Sequence, residues 1–257
     1  MKPDMKIFDS MKMIKLKIIA AAFCGVIGMA TASAQVAVRV DLNGMYYYSI
    51  TPAESQIGIA PGVGVQLGAD YDMHVKGTFY VTPGLYWSYR AVVSSNFSGS
   101  NSGSEVIQEH FLNVPLHAKW KFDIKPDKFG MYLYCGPVFS VGLASRSRFS
   151  LDISDVTIDG TYDYFKKEID FTLLGLGYDN IYDYLRETLE EAGLGFRRFD
   201  IRLDLGTGFV FKRNNELVFG VDVGTFNRYV NNLPEKSYMN SCNFYIGYRY
   251  RFGKKQQ

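Results

Sequence analysis

The residues of this sequence best suited to acid–base or nucleophilic chemistry are its three histidines. The pattern of apolar residues places His74 in a short turn and His117 inside a strand. His110 follows Glu109 and a serine-rich segment at 93–104, so it is the best-placed base. One histidine beside a carboxylate is common on protein surfaces, and spacing singles out no nucleophile and no metal-ligand set. We therefore expect no catalytic residue, no cofactor, no metal and no enzymatic activity.

Charged side chains at alternate positions of apolar segments are a second chemically distinctive set. In FDIRLDLGTGFVF, Phe199 to Phe211, the charged positions are Asp200, Arg202 and Asp204. Side chains on a β-strand point alternately to its two faces, so the segment predicts a strand with one apolar and one charged face.

The same period of two recurs along the chain. Several segments keep it well beyond the about 5–6 residues of an ordinary strand, and they reach the about 9–11 that a tilted strand needs to cross a bilayer. We predict eight strands, at 36–48, 58–72, 77–92, 109–122, 129–145, 198–212, 216–228 and 241–252.

The connections between these strands alternate in length. The short ones are 73–76, 123–128 and 213–215, and the long ones are 49–57, 93–108, 146–197 and 229–240. Barrels of the outer membrane have short periplasmic turns and longer external loops, whereas a soluble sandwich does not sort its loops by end. The sequence therefore predicts an all-β, antiparallel, up-and-down transmembrane barrel of eight strands. A hairpin inside the longest connection leaves ten strands as the alternative.

A closed barrel gives each face of a strand its own environment. The apolar faces meet lipid, and closure leaves no unpaired edge in the hydrocarbon. An aromatic girdle is expected near the strand ends from Trp87, Tyr89, Trp120, Phe122, Tyr248, Tyr250 and Phe252. A charge network is expected in the lumen from Arg39, Asp41, Asp70, Asp72, Arg90, Lys119, Lys121, Asp200, Arg202, Asp204, Asp222, Arg249 and Arg251. Its near balance of signs favours internal salt bridges over a selective channel, because small barrels have filled interiors.

Several segments resemble strands of a known family. FLNVPLHAKWKF, Phe111 to Phe122, is similar to the Asn/Glu-x-Pro-Leu-x-x-Lys strand of the Bacteroidetes-type outer-membrane β-barrel family, which includes PorT-like proteins. MYLYCGPVFSVGL, Met131 to Leu143, resembles the following Tyr-x-x-x-Gly-Pro strand. FDIRLDLGTGFVF resembles the Phe-Asp-x-x-x-x-x-Gly-x-Gly strand, and the last strand ends in Tyr-Arg-Phe. The resemblance covers essentially 36–252. It implies the barrel fold and, through members tied to protein secretion and gliding, a role in an envelope assembly.

The N-terminal residues 1–34 have the parts of a secretory signal peptide. Lys12, Lys15 and Lys17 precede the apolar run Ile18 to Ala30, and Ala32-Ser33-Ala34 forms an A-x-A site. The run is too short to span a membrane, and Met11 or Met13 are alternative starts. We predict cleavage after Ala34 and a barrel domain at 35–257 in the outer membrane of a Gram-negative cell. Losing five lysines and two aspartates changes the net charge from +2 to −1, which gives no basic field for nucleic acid.

The long external connection 146–197 carries the features of a partner site. Its first part predicts a hairpin with its turn at Asp159-Gly160. NIYDYLRETLEEAG then predicts a short helix that ends near Gly193. The apolar stripe of this helix is Ile181, Tyr184, Leu185 and Leu189. The stripe is either a lid over the barrel mouth or a docking surface.

Taken together, these patterns predict a non-enzymatic barrel that binds protein as a component or accessory of an envelope or secretion-type assembly. Its expected partners are outer-membrane lipid and another envelope protein. A narrow, porin-like solute pore or a purely structural barrel is the first alternative. A surface receptor that binds ligands through 93–108 and 146–197 is the second.

Overall fold

A computed structural model describes residues 35–51, 56–98, 101–125, 128–153, 156–174, 195–212, 214–230 and 238–252. The barrel strands are β1 Gln35–Thr51, β2 Gln56–Lys76, β3 Phe79–Ser98, β4 Asn101–Lys125, β5 Phe129–Ile153, β9 Phe199–Phe211, β10 Asn215–Gly224 and β12 Tyr238–Arg251. Four further strands are β6 Val156–Asp163, β7 Glu168–Leu174, β8 Gly195–Phe196 and β11 Tyr229–Val230. The predicted signal peptide at 1–34 and the predicted helix at 179–192 lie outside the described residues. Within the described part of the chain, no helix has the length and hydropathy of a membrane span.

The eight barrel strands form one closed antiparallel ring. Each strand pairs with its neighbour in the order β1, β2, β3, β4, β5, β9, β10 and β12. The ring closes because β1 pairs on both sides, with Asp41 opposite Gln66 on β2 and opposite Gly247 on β12. The predicted eight-stranded barrel is confirmed. The alternative of ten strands does not hold, because β6 pairs with the outer end of β5, β7 pairs with β6, and neither strand enters the closed ring.

Burial alternates along the strands as the period of two predicts. On β9, Phe199, Leu203 and Leu205 point outward and are about half exposed, whereas Asp200 and Arg202 point inward and are buried. The outward apolar face therefore needs lipid as its solvent, and the charged face is enclosed by the barrel wall.

Aromatic side chains mark the two borders of the apolar band. At the periplasmic end, Trp120 packs on Phe79 with ring centroids 5.3 Å apart. At the outer end, Tyr89 packs on His110 at 5.1 Å. Between them, the outer face of β4 is apolar from Leu112 to Phe122, which at about 3.3 Å per residue and a tilt of about 45° covers about 25 Å. That is the height of the apolar band of an outer-membrane barrel.

The strand β5 continues far beyond this band. It has 25 residues, pairs with β9 up to Val141, and pairs with β6 from Arg146 onward. Between these parts lies a β-bulge at Leu143, because Gly142 pairs with Phe111 while Ala144 pairs with the preceding residue of β4. The bulge exchanges the faces, so that odd-numbered residues of β5 point inward above it.

The outer parts of β3, β4 and β5 join β6 and β7 in a five-stranded external sheet. Strands therefore occupy much of 93–108, which was predicted to be a loop. In contrast, β10 ends at Gly224 and not at 228. Outside the hydrocarbon the outward face need not be apolar, so the alternation that defines a strand in the sequence fades there.

The hairpin of β6 and β7 turns at 164–167, and the predicted turn at Asp159-Gly160 is wrong. Both of those residues lie within β6. A side chain at Gly160 would collide with the Phe149 ring, so the glycine serves close packing. The actual turn is capped by Asp163, whose Oδ1 accepts hydrogen bonds from two backbone N–H groups of the turn, and Lys167 adopts a φ of 62°.

Candidate functional site

At the periplasmic end of the lumen, Arg249 on β12 joins three carboxylates from two other strands. Its Nε lies 2.9 Å from Oδ1 of Asp70, its Nη2 lies 3.1 Å from Oδ1 of Asp72, and its Nη1 lies 2.7 Å from Oε2 of Glu216. All four side chains are buried. Such a site is stable because the guanidinium has enough donors to satisfy every carboxylate around it.

Asp72 also contacts three other basic side chains at this end of the lumen. The Nζ atoms of Lys119 and Lys121 each lie 2.7 Å from one of its oxygens, and Nε of Arg251 lies 3.7 Å away. The Thr82 hydroxyl donates a hydrogen bond to Oδ1 at 2.9 Å. The predicted residues of this end are thus brought into one contiguous ionic cluster.

The middle of the lumen combines ion pairs with tyrosines. Arg39 pairs with Asp41 at 2.7 Å, and its guanidinium lies 4.8 Å over the ring of Tyr245. The Tyr245 hydroxyl donates to Asp204 at 2.6 Å, and Nε2 of His117 lies 3.0 Å from the other oxygen of that carboxylate. His117 therefore lies among the paired charges of the lumen.

Two arginines in the outer third of the lumen differ in their surroundings. Arg202 pairs with Asp222 and lies 3.4 Å from Asp200. Arg90 is equally buried, and its guanidinium lies 4.6 Å over the Phe111 ring, but its Nε has no hydrogen-bond partner among the described residues. Nε of Arg90 is therefore, like Nε of Arg251, a buried donor of the predicted network that has no hydrogen bond among the described residues.

A buried ion pair stands at the outer mouth. Glu109 accepts a hydrogen bond from Nη1 of Arg228 at 3.0 Å, another from the Ser145 hydroxyl at 2.9 Å, and a third from Tyr47. The Arg228 guanidinium also lies 4.9 Å from the ring centroid of Phe196. Since Arg228 belongs to the external segment between β10 and β11, this pair fastens that segment to the barrel wall.

An aromatic cap lies above the Glu109–Arg228 pair. Tyr164 from the β6–β7 turn stacks on Phe196 of β8, with centroids 4.0 Å apart, and donates a hydrogen bond to Glu105 at 2.5 Å. Burial raises the pKa of Tyr164, and the negative charge of Glu105 raises it further, so the phenol keeps its proton. The buried members of the cap are Met45, Tyr47, Val92, Tyr162, Tyr164, Ile169, Phe171, Phe196 and Met239. The hairpin of β6 and β7 therefore closes the mouth.

Three of the charged residues that fill the lumen were not predicted to do so: Glu109, Glu216 and Arg228. Glu109 was interpreted as a surface neighbour of His110, although it is in phase with the inward residues of β4. With these three included, the described lumen holds eight basic and eight acidic side chains. The basic ones are Arg39, Arg90, Lys119, Lys121, Arg202, Arg228, Arg249 and Arg251. The acidic ones are Asp41, Asp70, Asp72, Glu109, Asp200, Asp204, Glu216 and Asp222.

A small cavity remains in the middle of the lumen. Its volume is about 20 Å³, and it is lined by Arg39, Gln66, Tyr86, Arg90, Asn113, Pro115, His117, Val138, Arg202, Asp204, Asp222 and Tyr245. That volume holds about one water molecule. At this level the barrel is packed with side chains.

The structure separates the residues of the predicted rim site. His110 points outward and packs between Trp87, at 5.7 Å, and Tyr89, at 5.1 Å, whereas Glu109 points inward. Neighbouring residues of a strand face opposite sides, so the two cannot act together. His74 lies near the periplasmic end of β2. The predicted partner surface of Ile181, Tyr184, Leu185 and Leu189 lies outside the described residues.

Comparison with known proteins gives one family and several similar structures. A family model described as "Outer membrane protein beta-barrel domain" matches residues 30–226. Among solved structures, Neisserial surface protein A is 14% identical, with 84% of this chain and 99% of that chain covered and a TM-score of 0.36. Ail, the attachment invasion locus protein of Yersinia pestis, is 7% identical, with 84% and 98% covered and a TM-score of 0.33. No curated protein matches the chain in sequence.

A further similar structure corrects one expectation from the sequence. The outer membrane enzyme PagL is 10% identical, with 81% of this chain and 98% of that chain covered and a TM-score of 0.35. Because a barrel that is an enzyme is among the similar structures, the expectation that the chain has no enzymatic activity is contradicted and is withdrawn. A likeness at this level assigns no activity to the chain.

Proposed function

The chain belongs to the outer membrane protein beta-barrel domain family, and from this premise we propose that it anchors an external protein-binding sheet in the bacterial outer membrane. The sheet serves as a component or accessory of an envelope assembly, of the secretion type that the PorT-like resemblance implies. Export by cleavage after Ala34 is part of the same proposal.

The external sheet is the observation that carries the proposal. β5 is 25 residues long, about twice what the membrane requires, and the extra length supports strands on both sides. Across the sheet, Val106, Arg148, Thr161 and Asp170 form one row of paired positions. The outer face of these rows is largely polar and exposed, which suits a protein surface better than a lipid surface.

The last strand of this sheet supports a specific mode of binding. β7 pairs with β6 on one side, and no other strand of the described residues pairs with its other side. A partner can add a strand to such an edge through backbone hydrogen bonds, with side chains such as Thr172 giving specificity. The predicted stripe at Ile181, Tyr184, Leu185 and Leu189 follows β7 in the chain and belongs to the same proposed surface.

The lumen does not favour the pore alternative. Its charges are paired across the barrel, its middle holds a cavity of about 20 Å³, and its mouth is covered by the aromatic cap. Ion passage would require many of these buried pairs to open together, and each of them is costly to break.

Photo-crosslinking in living cells tests the proposed function. A photoreactive residue replaces Thr172 on β7 in one strain and Lys125 at the periplasmic end of β4 in a control strain, since both positions are exposed. We expect one discrete protein adduct from Thr172 that Lys125 does not give. If neither Thr172 nor positions 161 and 170 give an adduct in a folded barrel, the external sheet has no protein partner and the proposal fails.

A further inference from the structure

The last strand of the external sheet presents a different chemistry on each of its faces. Among the described residues, β7 ends the order of this sheet. On its outer face Glu168, Asp170 and Thr172 are exposed, whereas Ile169 and Phe171 on its inner face are buried in the aromatic cap. Side chains alternate between the faces of a strand, and a strand that pairs with β7 must alternate in the same phase. The edge therefore determines which positions of an added strand meet carboxylates and which meet apolar groups.

The outer face of the external sheet changes from basic to acidic toward this edge. From β5 through β6 to β7, two neighbouring rows of paired positions are Arg146–Asp163–Glu168 and Arg148–Thr161–Asp170. Opposite charges that face each other across a pair stabilise a sheet, and like charges destabilise it. Each row begins with an arginine and ends with a carboxylate. The next position in each row therefore favours a basic side chain.

The carboxylates near the edge are only partly neutralised by the chain itself. Glu168 lies 3.5 Å from Lys166 in an exposed pair, which is weak. Asp170 and its diagonal neighbour Asp159 belong to no ion pair of the described residues. Both line an open groove of about 510 Å³ on the outer face, which a side chain of another molecule can enter. The segments β6 and β7 contain no lysine or arginine, so the edge keeps a negative charge.

A second copy of the chain does not supply the missing charges through the same edge. The sequence of β7 is EIDFTLL, which has no basic residue. Two paired β7 strands would place no cation opposite Glu168 or Asp170 in any register, and some registers would place carboxylates opposite each other. The edge therefore favours a strand from a different protein.

We propose that the segment that adds to β7 is an amphipathic strand with lysine or arginine at two positions separated by one apolar residue. The basic side chains lie opposite Glu168 and Asp170 on the outer face. The apolar residue lies opposite Ile169 on the inner face, beside the aromatic cap. This inference rests on the proposed function, because it assumes that β7 receives a strand, and it adds the chemical pattern of the partner. Backbone hydrogen bonds attach any strand to an edge, so the charge pairs select among strands.

Binding of synthetic peptides to the purified full-length barrel in an uncharged detergent tests the proposal. Three fluorescently labelled peptides of about ten residues have valine at alternate positions and carry lysine, threonine or glutamate at the positions between. Fluorescence anisotropy measures the affinity of each peptide. We expect the lysine peptide to bind about tenfold more tightly than the threonine peptide, and the glutamate peptide to bind more weakly than both.

Reversing the charge of the edge should reverse this preference. The variant E168K/D170K should bind the glutamate peptide about tenfold more tightly than the lysine peptide. The control D123K, which changes an exposed carboxylate at the periplasmic end, should keep the preference of the unchanged protein. If E168K/D170K does not fold, D170N should lower the preference for lysine over threonine about threefold.

The other outcomes separate this inference from the proposed function. Equal binding of the lysine and threonine peptides overturns the charge pattern but agrees with strand addition to β7. Binding of no peptide, or the same reversal in D123K, also overturns the inference. In each of these cases the crosslinking from Thr172 decides independently whether the external sheet has a protein partner.

Discussion

Arg228 and Glu109 form an ion pair that is enclosed by the barrel mouth, with side chains 3% and 0% exposed. Arg228 comes from an external segment, and Glu109 comes from the wall strand β4. The pair stands where the charged lumen ends and the aromatic cap begins. Because both groups have lost their water, each depends on the other for compensation of its charge.

Removing one charge of this pair should therefore be costly. In the variant Glu109→Gln the Arg228 guanidinium stays buried without a counter-charge, and we expect the free energy of unfolding to fall by about 3 kcal/mol. Urea unfolding in lipid vesicles, followed by fluorescence of the two tryptophans, measures the change. Glu168→Gln is the matched control, because its pair with Lys166 is exposed and contributes at most about 1 kcal/mol. Similar losses in both variants would show that the mouth pair is not buried in the membrane-bound protein.

Two buried arginines should respond in opposite ways to the same substitution. Arg249→Met leaves Asp70, Asp72 and Glu216 without their main partner, and should cost about 3–5 kcal/mol. Arg90→Met removes a guanidinium whose Nε lacks a partner and keeps an apolar contact with Phe111, so it should be neutral or stabilising. The unfolding assay in vesicles compares the two. If Arg90→Met lowered the free energy of unfolding by several kcal/mol, the buried Arg90 guanidinium would contribute to stability, and this prediction would be wrong.

Glycines in the lumen make room for tyrosine rings. A Cβ at Gly208 on β9 would overlap the Tyr132 ring, whereas a Cβ at Gly44 on β1 meets nothing within 4 Å. Gly208→Ala should thus cost about 1–3 kcal/mol through overpacking. Gly44→Ala should be neutral or slightly stabilising, because alanine loses less backbone entropy on folding. The urea midpoints of unfolding of the two variants test this prediction. Equal midpoints would contradict the packing described for Tyr132.

The membrane-spanning part of the fold could be predicted from the sequence because lipid imposes a strict rule there. On β9 the outward positions are apolar except Thr207, so Asp200, Arg202 and Asp204 reveal the inward phase directly. On the outer halves of β3 and β4 the rule is relaxed, and segments rich in serine and asparagine were interpreted as loop. Asp159-Gly160 has the composition of a turn, but the turn formed where Asp163 could cap it.

Part of the site could not be predicted from the sequence, because it depends on contacts between residues that are far apart in the chain. Arg228 lies in a segment without alternation, and its partner Glu109 is 119 residues away in the chain. Glu109 itself could have been assigned to the lumen by its phase with Phe111 and Asn113. The cap depends on Tyr164 reaching Phe196, a pairing that follows from the position of the hairpin turn and so could not be predicted once that turn was misplaced.

The position of the barrel in the bilayer gives the last prediction. Leu205 faces lipid near the middle of β9 and is 58% exposed, while Val93 is 51% exposed on the external sheet. In Leu205→Arg the guanidinium must enter the hydrocarbon, and the free energy of unfolding in vesicles should fall by about 2–4 kcal/mol. In Val93→Arg it stays in water, and the change should be within about 0.5 kcal/mol. In detergent micelles, which adapt more readily around a charge, the difference between the two variants should shrink. Equal effects of both substitutions in vesicles would place the apolar band elsewhere on the strands.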